Sequence, residues 1–227
     1  MHYPQLLKAS LLGLLFSQGA INAEAAGRLD EPLPAGGLTL NYDVLLENDK
    51  IGEHKISVHK TGADVQIKHD IHMKVKVAFI TAYELNHKST EVWREEGPRK
   101  VRLIGIESHS VEDGKEHMLK GRATGASFEV DTANGTVTTP GNIGTTNSFW
   151  VDVSTVHPKM IDSIEGHVVT AQVTPEGTEV LNGKPAQKFA LKTGQRDATG
   201  WFSEDLLVKA IINNDGHVIR YVPKSGQ

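Results

Sequence analysis

The chain has 227 residues, with 24 Lys and Arg against 28 Asp and Glu, a formal charge of −4, 11 His and no Cys. A mildly acidic chain lacks the dense positive charge that neutralises phosphates, so nucleic acid is not an expected partner. Zero Cys excludes disulfides, thiolate metal sites, a Cys nucleophile and a lipid anchor attached through an N-terminal Cys.

Residues 1–25 read as a secretory signal peptide. One cation, Lys8, precedes an apolar stretch, Ala9–Phe16, and Ala23-Glu24-Ala25 has the small-x-small form of a cleavage site. The apolar stretch is well short of the ~20 residues that span a bilayer, and no later segment is long and apolar enough. The expected product is therefore soluble, periplasmic or secreted. Residues 26–37, with Pro32, Pro34, Gly36 and Gly37, form a polar lead-in, and 38–227 form a single domain. Without disulfides that domain depends on its core. About 200 residues suffice, since a chain of that size buries ~70% of its unfolded surface.

From Leu38 onward the hydrophobic period is two. Leu38–Leu46 and Ile51–Lys60 are the first strands. Val65–Phe79 is the clearest: Val65, Ile67, Ile71, Met73, Val75, Val77 and Phe79 alternate with polar residues, and His69 alone interrupts the apolar side. Such a run would be ~50 Å long if straight, at ~3.3 Å per residue, so it should belong to a curved sheet. Further strands are expected at Tyr83–Trp93, Lys100–Ser108, His117–Ala123, Ser127–Asp131 and Thr136–Thr139. Five more follow, at His167–Thr174, Ala186–Lys192, Thr199–Ser203, Leu207–Asn213 and His217–Val222. Turns are expected at Asn134-Gly135, Pro175-Glu176-Gly177, Asn182-Gly183 and Asn214-Asp215-Gly216. Short connections favour an antiparallel meander. Pro140–Asn147 reads as a loop, and one short helix is expected near 158–165, started by Pro158. The fold class is all-β, a curved sheet or incomplete β-barrel.

No compact chemical motif is present. On a strand, the His69-x-x-His72 pair points to opposite faces, so a metal site would need cross-strand partners such as His54, His59 or His87. No metal or other cofactor is expected. There is no G-x-S-x-G elbow. Glu84 and Glu91 stand seven apart and face opposite ways, which does not suit a two-carboxylate site. The Lys68, Lys74, Lys76 side reads as a solvated face. The scarce aromatics carry the functional expectation. A curved sheet too wide to close tightly would leave an apolar groove, capped by Ser148–Ile164, with Trp150 at the mouth after the Gly/Thr-rich loop. The candidate ligand-binding residues are Tyr83, Glu91, Trp93, Asn147, Phe149 and Trp150. The expected occupant is an apolar, lipid-like molecule or an envelope protein, bound without catalysis. The alternatives are an envelope hydrolase whose carboxylates or histidines meet only in three dimensions, and an interaction module that uses a sheet edge.

Several short runs carry a resemblance. Tyr83-Glu84-Leu85-Asn86-His87, Glu91-Val92-Trp93 and Asn147-Ser148-Phe149-Trp150 are three of them. The tail from Trp201-Phe202 through Leu207-Val208-Lys209 to Asp215–Tyr221 is a fourth. Together they resemble uncharacterised secreted bacterial domains of unknown function, loosely akin to periplasmic lipoprotein-carrier proteins. The resemblance implies a Gram-negative envelope setting and an antiparallel β fold, and it supplies no catalytic residues. Unlike the anchored relatives of the carrier group, this chain has no lipidation Cys.

Overall fold

A computed structural model describes residues 36–97, 100–150, 156–193, 196–203, 206–214 and 216–224. Residues 1–25, expected to be a signal peptide, and nearly all of the expected lead-in at 26–37 lie outside the described residues. The described residues form fifteen strands: β1 Leu38–Leu46, β2 Asp49–Thr61, β3 Asp64–Val77, β4 Ile80–Gly97, β5 Lys100–Glu112, β6 Lys115–Thr124, β7 Ser127–Thr132, β8 Gly135–Pro140, β9 Gly144–Thr145, β10 Lys159–Ile161, β11 Val168–Leu181, β12 Lys184–Thr193, β13 Arg196–Ser203, β14 Leu206–Asn214 and β15 His217–Pro223. They make one open sheet, ordered 8-7-6-5-4-3-2-1-15-14-13-12-11-10-9. All neighbours are antiparallel except β9 and β10. The first and last long strands, β1 and β15, pair near the middle of the sheet, with Val44 opposite Tyr221.

The connection from β8 to β9 dictates the curvature. These strands are the two edges of the sheet, yet only Gly141–Ile143 separates them. Four Cα steps reach at most about 14 Å. A fifteen-stranded sheet satisfies that tether only by curling until its edges approach. The inner face then becomes the core. Leu40, Tyr42 and Val44 on β1, Ile56 and Val58 on β2, and Val65, Ile67 and Ile71 on β3 are all buried at alternate positions. Bulges keep the inner side in phase as the strands coil. Val92 pairs with Gly105 and Trp93 with Leu103, so the extra residue lets Leu103 and Ile106, three apart, both face inward.

Three local expectations are corrected. There is no helix at 158–165: Lys159–Ile161 is strand β10, and Asp162–Glu165 is a turn in which the Asp162 carboxylate accepts the N–H groups of Ile164 and Glu165. Pro158 immediately precedes β10, and its carbonyl accepts from the Ala171 N–H at 3.0 Å. The only helical piece among the described residues is a 3-10 turn at Ser148–Trp150. Pro175-Glu176-Gly177 is not a hairpin but a bulge inside β11, and the chain turns at Asn182-Gly183. The long alternating strand stops at Val77, because Val77 pairs with Ile80 and leaves Ala78-Phe79 as the turn. Phe79 is fully exposed rather than on the inner side. Trp201 lies on the outer face, its indole donating to Glu179 at 2.9 Å with Lys209 over the ring at 4.3 Å.

Close packing of β5, β6 and β7 makes a testable demand. A Cβ on Gly121 would stand 2.5 Å from Phe128 Cε1 and 2.8 Å from Ile106 Cγ2, whereas one on Gly105 would meet only a carbonyl oxygen at 3.8 Å. Gly121→Ala is expected to lower unfolding stability by about 1–3 kcal/mol through overpacking. Gly105→Ala, on the neighbouring strand, should be near neutral. Urea midpoints of the two variants, measured side by side, check this.

Candidate functional site

The inner face is not uniformly apolar. Across β2 to β5 the alternation delivers a band of polar side chains to it: His54, His69, His87, Ser89, Glu91, Ser108 and Ser110, all buried. Register assembles them. His69 faces Ser89, His87 faces Ser110 and Ser89 faces Ser108. The segment after β8 folds onto this band, and its side chains meet strands that are far apart in the sheet. Thr145 and Ser148 reach Glu91 on β4, and Asn147 reaches His87 on the same strand. Ser108 on β5 donates to the Ser163 carbonyl at 2.6 Å. Phe149 packs edge-on to Phe202 of β13, and Trp150 stacks on Tyr221 of β15 at 5.0 Å. Gly200 makes room for Phe149, whose ring carbons would lie 3.0 Å from a Cβ there.

Glu91 is completely buried. Trp93 Nε1–H donates to it at 2.9 Å and the Thr145 hydroxyl at 2.7 Å, while Ser148 Oγ makes a very short contact. Thr145 and Ser148 also lie 2.8 Å from each other. The ring of Glu91, Thr145 and Ser148 contains three oxygen–oxygen contacts, and the two hydroxyls supply only two hydrogens. A proton on the carboxyl supplies the third. Burial acts in the same direction, raising the Glu91 pKa against its three hydrogen bonds. Glu91 is therefore a neutral acid held in a closed ring.

The histidines form two units. Asn147 donates from Nδ2 to His87 Nε2 at 2.9 Å, which leaves the His87 Nδ1–H to donate to Ser110 Oγ at 2.7 Å. His54 Nε2 and His69 Nδ1 share one hydrogen at 3.0 Å. Their outer atoms, His54 Nδ1 and His69 Nε2, are buried without a hydrogen-bond partner. Whichever tautomer holds, one of these is an unpaired N–H and the other an unpaired lone pair. Burial pushes His54 down to about 3 and His87 to about 4, the latter partly offset by the Asp162 and Asp70 charges, and it carries His69 well down too. All three are neutral at pH 7. Tyr42 and Tyr221 flank His54 at 6.4 and 5.7 Å.

The six expected residues divide accordingly. Glu91, Trp93 and Asn147 are in the buried polar band or its cap, and Phe149 and Trp150 seal it against the opposite half of the sheet. Trp93 also stacks on His157 at 6.2 Å. Tyr83 stands apart at the rim, donating to Glu112 at 3.0 Å. His54, His87, Ser108 and Ser110 were not among the six, though each occupies an inward phase of its strand. Glu84 and Glu91 do face opposite ways, one exposed and one buried. For metal ligation, the described residues hold one group, Glu112, His117 and Glu165, with a ligand atom from each within 4.8 Å of the others. It lies at the rim, with Glu165 exposed and Glu112 already accepting from Tyr83. It is separate from the buried band.

Fold and site together define a class: an all-β domain curled around its own inner segment, with a neutral polar band in its core. The chain belongs to the family described as a domain of unknown function, DUF6134, which matches residues 42–224. No curated protein and no solved structure matches it.

Two outcomes follow from the neutral band. In the unfolded chain each imidazole takes a proton near pH 6.5, whereas in the fold these three stay neutral to far lower pH. Unfolding thus takes up protons, and stability falls as pH drops from about 6.5 toward 4, by up to about 1.4 kcal/mol per pH unit for each histidine. Glu91 acts in the opposite sense, because its raised pKa removes stability as pH rises above its unfolded value. Urea titrations between pH 7 and 4 should therefore show a steep acid limb, steeper still in Glu91→Gln. That substitution also tests the proton directly. An amide can replace a neutral carboxyl in the ring, so Glu91→Gln should lie within about 1 kcal/mol of wild type at pH 7. Glu91→Ala, which strands two hydroxyls and an indole N–H, should cost about 3 kcal/mol or more.

Proposed function

We propose that this is an exported, soluble envelope protein that binds a small amphiphile on the inner face of its curled sheet, without catalysis. Residues 141–150 and 156–167 form the closure over the site. The observation that carries this reading is the His54–His69 pair. A buried unpaired donor on one ring and a buried unpaired acceptor on the other each carry a desolvation penalty of about 1–3 kcal/mol. A ligand that supplies an acceptor to one and a donor to the other removes both penalties. The pair is neutral, so it suits a neutral polar head, such as a hydroxyl, an amide or a protonated carboxyl, over a charged one. Ile56, Ile71, Tyr42 and Tyr221 around it would hold the apolar part of the ligand. Trp150, stacked on Tyr221 from the closure segment, is the side chain that would yield to it. Export rests on the leader read in residues 1–25.

The test is displacement of a fluorescent long-chain alcohol or fatty acid from the purified protein. His69→Phe, which keeps a ring of similar size and removes the polar edge, should weaken binding about tenfold, the worth of one buried hydrogen bond. Trp150→Ala should change affinity and entry rate together. Failure of every lipid extract to displace the probe, or unchanged affinity in His69→Phe, would overturn the reading.

One observation favours a second reading. Ser110 Oγ, His87 and Asn147 lie in a line, at 2.7 and 2.9 Å. With the Asn147 amide turned over, this is the order of a hydrolase relay. Ser110 is completely buried, and His87 as hydrogen-bonded donates to it rather than accepting, so the binding reading is preferred. Covalent labelling of wild type by a fluorophosphonate, lost in Ser110→Ala, would reverse that preference.

A further inference from the structure

The β3–β4 hairpin is unlike the other tight turns of this chain. Among the described residues, six other hairpins close with two-residue turns: Glu47-Asn48, Gly62-Ala63, Asp113-Gly114, Gly125-Ala126, Ala133-Asn134 and Asn182-Gly183. None of those turns holds an apolar side chain larger than Ala. The β3–β4 turn is Ala78-Phe79, closed by the Val77–Ile80 pair. Ala78 sits at φ 55°, a conformation usually given to Gly, Asn or Asp. The local rules of turn chemistry thus disfavour this sequence. Its apolar side chains also stand in solvent: Phe79 is fully exposed, Ile80 is 74% exposed and Val77 41%.

The hairpin also projects. β2 pairs with β3 no further than Met73, and β5 pairs with β4 only from Leu85 onward. The arms Lys74–Val77 and Ile80–Tyr83 therefore pair in the sheet only with each other, as a two-stranded ribbon. Lys74 and Lys76 lie on the exposed side of one arm, and the nearest acid, Glu84, stands at the base, paired with Lys74 at 2.8 Å. The tip is thus an apolar knob with a basic collar on a chain whose net charge is −4.

We propose that this hairpin is a membrane-contact finger: Val77, Ala78, Phe79 and Ile80 enter the interfacial layer of a bilayer, and Lys74 and Lys76 meet anionic headgroups. The shape and charge favour lipid over protein. A standard protein interface buries ~800 Å² on each partner, and a knob of three large apolar side chains offers roughly half of that at most. A bilayer accepts a narrow wedge from any direction, and cations beside it add attraction to anionic lipid. Contact of this size is peripheral and reversible. It is independent of whether the inner face takes a ligand.

The chain contains no Cys, so a Phe79→Cys variant carries an environment-sensitive fluorophore at that position alone. The protein is mixed with phosphatidylcholine vesicles with or without phosphatidylglycerol. The expected result is a blue-shifted probe, shielded from an aqueous quencher, on vesicles containing phosphatidylglycerol. The same fluorophore on an Asn134→Cys variant, at a polar turn, should stay in water. In co-sedimentation with unlabelled protein, Phe79→Ser/Ile80→Ser should bind those vesicles at least about tenfold more weakly, with an unchanged melting temperature. Lys76→Glu should weaken binding about fivefold for each unit of charge changed, an effect lost in high salt. The proposal is overturned if wild type ignores both vesicle types, if the Ser double variant binds as well as wild type, or if the probe at 79 stays in water. A dimer in the absence of vesicles that the Ser double variant abolishes would also overturn it, by making a second copy the occupant.

Discussion

The structure depends on satisfying polar groups that its own alternation carries into the core. Period two places Glu91, His87 and Ser108 on the inner face as surely as it places Val65 and Ile67 there. Left unpaired, such groups would together cost several kcal/mol, a large part of a domain's net stability. Residues 144–150, together with Ser163, remove that cost. They bring Thr145, Ser148, Asn147 and the Ser163 carbonyl to the band, while Phe149 and Trp150 close against Phe202 and Tyr221. One short stretch therefore caps the polar band and ties the β4–β5 half of the sheet to the β13–β15 half. The curl, the core and the site have a common cause.

The same stretch explains why the band is neutral. Water is displaced by fixed hydroxyl, amide and indole groups, so the carboxyl keeps its proton and the imidazoles remain without theirs. A neutral interior tolerates an open-edged sheet better than a charged one would, since no ion needs rescue by solvent at the seam. Within the described band, His54 and His69 keep buried polar atoms without a hydrogen-bond partner, and those atoms are what give the band a capacity for recognition beyond packing. The exposed hairpin obeys the opposite rule: its apolar side chains lie where nothing in the fold buries them.

Much of the architecture was legible along the chain. The alternation in Leu38–Leu46, Val65–Val77 and Tyr83–Trp93 gave the strands, and the short connections gave the meander, because both are local properties of the backbone. Of the candidate site, Trp93, Phe149 and Trp150 stand out along the chain as scarce aromatics, and Glu91 and Asn147 as polar groups for the mouth of a groove. Tyr83 could not be separated from them, because its distance from the band follows from its place at the rim. The misplaced helix at 158–165 has a similar origin. Lys159–Ile161 is too short a run to show a period, and pairing with β9 on one side and β11 on the other decides its form. Phe79 matched the alternation yet lies in the turn, since the cross-strand pairing of Val77 with Ile80 ends the strand.

Residue order alone settles the things that neighbours on the chain control: an all-β, antiparallel fold, the period-two alternation of its strands, and a core built without disulfides. It does not settle which inward residues meet. Glu91 and Ser148 are 57 positions apart, and Trp150 and Tyr221 are farther still. Their encounter depends on strand order, on bulges that shift phase by one residue, and on a three-residue tether that draws two sheet edges together. Those are long-range constraints, set when the whole sheet curls. The neutral carboxyl ring and the half-satisfied histidine pair come into being only then.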